Sequence, residues 1–335
     1  MYPIAENEPI LSIAELNRDV EPFIIQASGK RNRIFKDSYE TLQFVHFSDI
    51  HYALEQWDRL VDYVNTYSDL FEFVLHTGDY CGCSHTEYYC DLYGKGKPCK
   101  RPILNCIGNH DSIESYANRT STTKQVRTVC YPKTIDWEVV FMPGELTLNY
   151  HKDFLKSNIR LIVLDCYFGG EAQIEWLKQL LADAREKRMH VITAAHEITH
   201  PITEKQNVTF QTLDDFWSVT GNRRSHEFDH IIADFKKEGG VHICHLAGHE
   251  HSDYFGFTEH GVLNVVVSCA SAGTCMTDWK GVRGTKTYDC FNVVAVDTNR
   301  NLLKLVRVGN NADHYLRRKR VLCWDYAEQK LIYND

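Results

Sequence analysis

The sequence has no apolar run long enough to cross a membrane. A membrane-spanning helix needs roughly 20 consecutive apolar residues, and polar or charged residues interrupt every apolar run of this chain before that length is reached. The beginning of the sequence also lacks a basic stretch followed by an apolar one, which is the pattern of a secretory signal peptide. We therefore expect a cytoplasmic protein with no membrane partner.

The sequence also lacks an excess of positive charge. The 335 residues include 37 Lys and Arg against 45 Asp and Glu, which gives a formal net charge of -8. Proteins that bind nucleic acid usually carry a basic face, because they must neutralise phosphates. The charge balance therefore argues against a nucleic-acid partner.

The sequence contains no internal repeat, linker or low-complexity segment, and this favours a single domain over residues 1–335.

Cysteine, in contrast, is abundant, with 12 residues. Four cysteines lie inside apolar runs, where reduced thiols behave as small buried hydrophobes: Cys106, Cys166, Cys244 and Cys269. Four others share one loop that also contains glycine and proline: Cys81, Cys83, Cys90 and Cys99. The spacing of this second set matches no standard zinc pattern, so free thiols, two disulfides and a structural metal site all stay open.

Apolar runs rich in β-branched and aromatic residues recur along the chain and predict strands. They cover residues 42–47, 71–76, 103–107, 159–164, 190–194, 241–246, 262–267, 291–296 and 302–308. Apolar residues at the 3.6-residue period predict helices within 57–71, 174–184 and 228–235. Residues 21–36 predict a hairpin. The alternation of strands and helices indicates β-sheets flanked by helices.

Acidic, amide and imidazole side chains follow five of the predicted strands. In chain order they are Asp49 and His51, then Asp79, then Asn109, His110 and Asp111, then His196, and finally His249 and His251. In open α/β sheets, binding sites form beyond the carboxyl ends of the strands. Each short motif alone is common by chance, but five of them at successive strand ends indicate a shared site.

These residue types suit a site for two metal ions. The candidate ligands form two sets around one shared carboxylate: Asp49, His51 and His251; Asn109, His196 and His249; and, between the sets, Asp79. Hard divalent ions accept carboxylate, carbonyl and imidazole ligands together. Two ions about 3.5–4 Å apart can clamp a phosphoryl group and lower the pKa of a water from about 15.7 towards about 7. The set therefore points to phosphoryl chemistry.

The order of the motifs resembles the signature of the calcineurin-like metallophosphoesterases. The matching segments are Asp49-Ile50-His51, Gly78-Asp79, Gly108-Asn109-His110-Asp111, the lone His196, and Gly248-His249-Glu250-His251. The similarity covers about residues 42–270. It implies a four-layer fold of α and β structure, in which two mixed β-sheets pack as a sandwich flanked by α-helices. Residues 1–41 would form an N-terminal arm, and residues 271–335 would add the C-terminal strands.

The resemblance also implies roles for individual residues. One metal ion would be held by Asp49, His51, Asp79 and His251, and the other by Asp79, Asn109, His196 and His249. His110 would be the outer-sphere histidine that contacts the phosphate or protonates the leaving group, and Asp111 would support it. The ions would be Mn, Fe or Zn. Gly82 stands where purple acid phosphatases carry a metal-binding tyrosine, so we expect no tyrosinate–iron site.

The expected reaction is hydrolysis of a small phosphate mono- or diester, with a hydroxide that bridges the two metals as the nucleophile. Two alternatives stay open, namely a nuclease on the same fold and a non-catalytic scaffold. The basic run at 317–320 is interpreted as a solvated strand edge, and Tyr88, Tyr89 and Trp217 as loop packing. The sequence does not name the substrate, the preference between mono- and diesters, the metals or the oligomeric state.

Overall fold

The computed structural model of the chain describes residues 11–28, 38–80, 95–112, 139–144, 148–166, 170–199, 224–271, 281–310 and 320–334. Within these ranges there are fourteen strands. In chain order they are β1 Leu42–Phe47, β2 Val74–His76, β3 Ile103–Asn105, β4 Val140–Phe141, β5 Tyr150–Phe154, β6 Ile159–Val163, β7 His190–Ala194, β8 Val241–Ala247, β9 Tyr254–Phe257, β10 Leu263–Val266, β11 Cys290–Asp297, β12 Leu302–Gly309, β13 Val321–Asp325 and β14 Lys330–Asn334.

The strands form two mixed sheets of seven. The first sheet has the order β14-β13-β12-β11-β1-β2-β3, with β1, β2 and β3 parallel and the other neighbours antiparallel. The second has the order β4-β5-β6-β7-β8-β10-β9, with β6, β7, β8 and β10 parallel and antiparallel strands at both edges. The prediction of two mixed sheets is confirmed.

Six α-helices accompany the sheets in the described residues. They are α1 Ile13–Leu16, α2 Glu21–Ala27, α3 Leu54–Thr66, α4 Asn109–Ser112, α5 Gly170–Glu186 and α6 Arg224–Lys237. Three of them, α3, α5 and α6, are the helices that the 3.6-residue period predicts. On α3, Trp57, Leu60, Val61 and Val64 are buried as that period requires. None of the helices in the described ranges is long and apolar enough to span a bilayer.

The two sheets and the helices share one continuous apolar core. All six residues of β1 and all five of β6 are buried, as expected for strands covered on both faces. Aromatic rings connect the sheets, because Phe73 stacks on Phe44 at 4.4 Å and on Phe154 of β5 at 5.0 Å between ring centroids. The core therefore fixes the two sheets relative to each other.

The predicted hairpin over residues 21–36 is wrong for its first half. Residues Glu21–Ala27 form helix α2 instead, with Pro22 in its first turn and Ile24 and Ala27 buried on one face. Proline is tolerated at that position because the first N–H groups of a helix have no intrahelical partner. The i, i+3 spacing of this buried pair is typical of a helix that packs one face against the core.

Several sequence predictions lie outside the described residues. These concern Cys81, Cys83 and Cys90, the glycine Gly82, the loop aromatics Tyr88, Tyr89 and Trp217, and most of the basic run at 317–320. Arg320, the last residue of that run, is described, and its guanidinium pairs with Asp19 and donates to Asn17 at 2.6 Å. The four cysteines expected in the core, Cys106, Cys166, Cys244 and Cys269, are all buried.

Two buried histidines of β8 should make the stability of the core depend on pH. Thr193 Oγ1 lies 3.0 Å from His242 Nε2 and 2.9 Å from His245 Nδ1, and His245 Nε2 donates to the carbonyl of Glu197 at 3.0 Å. Burial lowers the pKa of His245 to about 4 and that of His242 well below its ordinary value. Both rings are therefore neutral in the folded protein near neutral pH.

We expect this pair to make the fold sensitive to acid. Below about pH 6.5 the unfolded chain binds protons on these rings that the folded chain does not accept until about pH 4, so stability falls across that window. For His245 the loss reaches about 3 kcal/mol at the lower end. Urea unfolding of chelator-treated protein between pH 8 and pH 4 measures it. The variant His245→Gln should show a shallower decline than the parent protein, and an equal decline would contradict the assignment.

Candidate metal centre

The nine candidate site residues all lie where parallel strands end at one edge of the sandwich. Asp49 and His51 follow β1, Asp79 follows β2, and α4 begins with Asn109 directly after the loop that follows β3. From the second sheet come His196, two residues beyond β7, and the loop after β8 that carries His249 and His251. A parallel bridge between Ser48 and Cys269 joins the two sheets at this edge. Both sheets therefore contribute to the site.

The first group of ligand atoms surrounds Asp49. Its Oδ1 atom lies 3.2 Å from His251 Nε2 and 3.9 Å from His51 Nε2, and the two imidazole Nε2 atoms are 3.0 Å apart. One carboxylate oxygen of Asp79 joins them, so that the four ligand atoms all lie within 4.8 Å of one another. These are the residues that the sequence assigns to the first metal ion.

The second group surrounds Asn109. The Oδ1 atom of Asn109 lies 2.9 Å from His196 Nε2 and 3.0 Å from His249 Nδ1, and those two ring nitrogens are 3.2 Å apart. Asp79 reaches this group too, because its Oδ1 atom lies 3.4 Å from His196 Nε2. Asp79 is therefore close to both groups, as a bridging carboxylate must be.

The donor set fits metal ions. Two pairs of imidazole nitrogens face each other at 3.0 and 3.2 Å, and lone pairs that converge in this way suit a shared cation. Asp49 Oδ1 is buried, and its near neighbour His251 Nε2, 3.2 Å away, does not make a hydrogen bond of regular geometry with it. Such an unsatisfied buried carboxylate oxygen is costly unless a cation completes its environment. The residues present can thus hold the two ions that the family resemblance implies.

Charge interactions dominate the site without metals. Burial alone would raise the pKa of Asp49, but His251, His196 and His51 lower it well below its usual range. Burial alone would lower the pKa of His196, but the carboxylates of Asp79 and Asp49 raise it to about 10. Carboxylates and imidazoles thus stabilise each other's charged forms. A metal ion would replace the imidazole protons as the positive charge beside the carboxylates.

The backbone conformation of the site loops is unusual. Asp49, His51, Asp79, His249 and His251 all have positive φ angles, between 43° and 67°. Residues other than glycine rarely adopt this conformation, and such residues cluster at functional sites where the fold imposes it. The chain therefore turns sharply at the candidate ligands that follow β1, β2 and β8.

Glycines make room for this arrangement. A Cβ atom on Gly78 would lie 2.5 Å from His196 Nδ1, and one on Gly108 would overlap the carboxylate of Asp79. A Cβ on Gly248 would lie 2.6 Å from Asp49 Oδ2. Each of these three glycines immediately precedes a candidate ligand. Their role is to let the backbone approach the ligand side chains closely.

The ligands are oriented by further hydrogen bonds. His196 Nδ1 lies 2.7 Å from the carbonyl oxygen of Thr77, and this contact places a proton on Nδ1, so that Nε2 is the atom that could bind a metal. The hydroxyl of Thr77 lies 3.1 Å from His46 Nε2. The main-chain N–H of His249 donates to Asp49 Oδ2 at 3.0 Å, which links the loops of the two sheets.

His110 sits beside the two groups of ligands. Its main-chain N–H donates to Asp79 Oδ1 at 3.0 Å, and its Nε2 atom lies 3.9 Å from Asp79 Oδ2. The ring meets that of His51 edge-on, with 5.1 Å between centroids. About 36% of the side chain is exposed, against 1% for Asp79 and 4% for His51 beside it. His110 is therefore accessible to a molecule that enters the site.

Asp111 positions the loop that carries Asp79. Its Oδ2 atom accepts from the main-chain N–H groups of Asp79 at 2.9 Å and Gly108 at 2.8 Å, and its Oδ1 atom accepts from Tyr80 at 2.9 Å. Hydrogen bonds to a buried carboxylate are stronger than those between neutral groups. Asp111 thus fixes the two loops that contribute Asp79 and Asn109, while the support for His110 that the resemblance implies stays a prediction.

We expect Asp111→Asn to loosen both loops. An amide keeps one acceptor and turns a donor towards N–H groups, so the free energy of unfolding should fall by about 2–4 kcal/mol. Metal affinity should fall about 10–100-fold, the usual cost of losing a partner behind the ligands. Chemical unfolding and metal titration measure the two effects. The control is Asp229→Asn, a buried carboxylate outside the site that accepts from Thr199 at 2.8 Å. That variant should lose stability and keep its metal affinity, and equal metal losses would contradict the role.

Cys269 also lies at the site, although its sequence context predicts burial alone. Its thiol follows β10 and donates to the carbonyl oxygen of Asp49 at 3.0 Å, and its Sγ atom lies within 4.8 Å of ligand atoms of His51 and His251. The sequence pattern placed it in an apolar run and predicted burial alone. Its position in the sequence could have identified it, because Cys269 also follows a predicted strand, as the other candidate site residues do.

Comparisons with known proteins agree with this geometry. A profile of the calcineurin-like phosphoesterases matches residues 42–253. The chain therefore belongs to the calcineurin-like phosphoesterase family. No curated protein sequence matches the chain significantly.

Among solved structures, the chain is similar to a dimetal phosphatase from Danio rerio, with a TM-score of 0.52 and 12% identity over 87% of this chain and 100% of that one. A weaker similarity, with a TM-score of 0.45 and 10% identity over 88% of each chain, is to GAP50, the anchor in the inner membrane complex of Plasmodium. Identities this low bear on the fold alone.

Proposed function

We propose that the protein is a hydrolase of phosphate mono- or diesters that uses two metal ions. The observation that carries the proposal is the position of Asp79. Its carboxylate lies near the ligand atoms of His51 and His251 on one side and 3.4 Å from His196 Nε2 on the other. A carboxylate that serves two adjacent cations is the arrangement that two-metal phosphoryl chemistry requires.

In this proposal each ion draws ligands from both sheets. The first is held by Asp49, His51, Asp79 and His251, and the second by Asp79, Asn109, His196 and His249. Mixed nitrogen and oxygen donors of this kind accept Mn, Fe or Zn. When bound, the ions polarise the phosphoryl group and supply a water of lowered pKa as nucleophile.

The protein's own residues supply position and a proton. His110 is the exposed imidazole beside the ligands, and its main chain is fixed to Asp79 Oδ1. We assign its imidazolium the role of donating a proton to the oxygen that leaves when the ester bond breaks. The buried network of Asp111 holds the loops so that neither ligands nor His110 must reorganise when a substrate arrives.

A substrate screen tests the proposal. Protein freed of metal by a chelator is assayed with Mn, Fe(II) or Zn on aryl phosphate monoesters and diesters, nucleotides, cyclic nucleotides and phospholipid head groups. We expect turnover that rises with added metal and saturates near two equivalents, and that distinguishes mono- from diesters. Turnover independent of metal would refute the proposal, and so would the lack of turnover with a protein that binds two equivalents.

Two alternatives have weaker support. A nuclease on this fold would need a basic groove for the phosphate backbone, and the net charge of -8 does not favour one. A non-catalytic scaffold would have no use for seven converging ligand side chains and an accessible histidine. The screen, extended to oligonucleotides, distinguishes both alternatives from the proposed hydrolase. A nuclease would act on oligonucleotides in preference to small esters, and a scaffold would hydrolyse no substrate. We propose small phosphoesters as the partners.

A further inference from the structure

Cys269 adds a soft donor to the first group of ligands. The side chain is fully buried, and its Sγ atom lies within 4.8 Å of imidazole nitrogens of both His51 and His251. An ion bound at about 2.3 Å from sulfur and about 2.0–2.1 Å from nitrogen needs such short separations between its ligands. The adjacent Asp49 Oδ1 is buried, lies 3.2 Å from His251 Nε2 and makes no hydrogen bond of regular geometry, which is an independent sign that this space suits a cation.

The thiol is held in place by main-chain atoms of the site. It lies 3.0 Å from the carbonyl oxygen of Asp49 and 3.2 Å from that of Ser271. The main chain around it is fixed as well, because the N–H of Ala270 donates to the carbonyl oxygen of Ser48 at 2.9 Å. Cys269 is therefore positioned by the same contacts that join the two sheets, and its sulfur needs no large movement to reach an ion between the two histidines.

We propose that Cys269 is an additional ligand of the first metal ion when that ion is thiophilic, such as Zn²⁺ or Co²⁺. On binding, the S–H bond breaks, the proton passes to solvent, and a sulfur–metal bond forms without any change of oxidation state. With a hard ion such as Mn²⁺ the thiol stays protonated and donates to the carbonyl of Asp49. Cys269 would thus shift the preference of the first site towards soft ions.

Cobalt spectroscopy tests the proposal without relying on turnover. Thiolate bound to Co²⁺ gives a strong near-ultraviolet charge-transfer band, which imidazole and carboxylate ligands do not give. The parent protein, loaded with Co²⁺, should show the band, and Cys269→Ser and Cys269→Ala should lose it. The control is Cys244→Ser, a buried cysteine on β8 away from the site, which should keep the band.

Metal affinity gives a second measurement on the same proteins. Cys269→Ser should weaken the binding of Zn²⁺ to the first site by about tenfold or more. It should weaken the binding of Mn²⁺ much less, because only the soft ion loses a bond to sulfur. A purely structural role of the thiol would weaken both ions equally, and this result would overturn the proposal.

The possible outcomes distinguish a failure of this proposal from a failure of the proposed phosphoester hydrolase function. Parent protein that binds Co²⁺ without the thiolate band refutes the cysteine ligand and leaves the metal centre intact. A band that survives both substitutions comes from other thiols and refutes it too. Protein that binds no metal at all refutes the centre itself. If the variants fail to fold, two measurements on the parent protein test the proposal. These are the thiolate band with Co²⁺ and the release of an extra proton on Zn²⁺ binding, measured in weak buffer, and the absence of both would refute it.

Discussion

Asp79→Asn should remove metal from both groups of ligands at once. Asp79 is the carboxylate whose oxygens approach both His196, at 3.4 Å, and the cluster of Asp49, His51 and His251. An amide offers a single neutral oxygen and adds a donor that faces imidazole nitrogens. The variant removes one negative charge from between two cations, so both bind more weakly. We expect fewer than one equivalent of metal in the purified variant and turnover reduced by about 10²-fold or more.

Elemental analysis and metal titration measure this loss. Asp229→Asn is the matched control, because Asp229 is equally buried but accepts its hydrogen bonds from Thr199 and His260, outside the site. It should retain both metals. Asp49→Asn should lose mainly one equivalent, because Asp49 contacts the first group. If Asp79→Asn kept two equivalents and full turnover, the bridge would be wrong, and so would the proposal built on it.

His110→Ala should slow the hydrolysis of esters with poor leaving groups far more than those with good ones. An alkyl alcohol leaves as an unstable alkoxide unless it is protonated, whereas nitrophenolate leaves without help. General acid catalysis contributes about 10²–10⁴-fold in rate. His110 is accessible, and its Nε2 atom lies 3.9 Å from Asp79, close to the ligands without being one of them. We therefore expect a loss in that range for alkyl esters, a much smaller loss for nitrophenyl esters, and unchanged metal content.

The comparison of the two ester types identifies the role of His110. Equal losses on both would mean that it binds phosphoryl oxygens instead of donating a proton. Loss of metal would mean that it is a ligand. His230→Ala is the control for removal of an imidazole, because His230 is an exposed residue of α6 outside the site. That variant should leave turnover of both esters unchanged.

The central strands of the fold were predictable because they are buried on both faces. A strand such as β1 or β6 reads as an unbroken apolar run, and the run ends where the chain turns towards the site. The edges were less predictable. Three of the five residues of β14 are exposed, so it presents no apolar run, and β9 alternates buried and half-buried residues within only four positions. Pairing with a neighbour defines these strands, and a single sequence does not show the neighbour.

The convergence of the seven candidate ligand side chains was predictable because their residue types, their order and their positions after strands are informative. What the sequence could not give was their supporting contacts. The three hydrogen bonds of Asp111 and the approach of Cys269 to His51 and His251 depend on the main-chain turns with positive φ angles. Those turns are set by tertiary structure, since Asp and His adopt such angles only where the fold compensates for them.

The division of each ligand group between two sheets has a consequence for the mechanical integrity of the fold. Asp49 and Asn109 come from the first sheet, and their partners His251 and His196 from the second. A bound ion is then a reversible cross-link between layers, comparable to a disulfide that a chelator can open. Each ion at a hundred times its dissociation constant adds about 2.7 kcal/mol to stability. Two ions would add about 5 kcal/mol, a large share of what holds an ordinary domain together. Metal supply would in that case govern the lifetime of the folded protein as well as its chemistry.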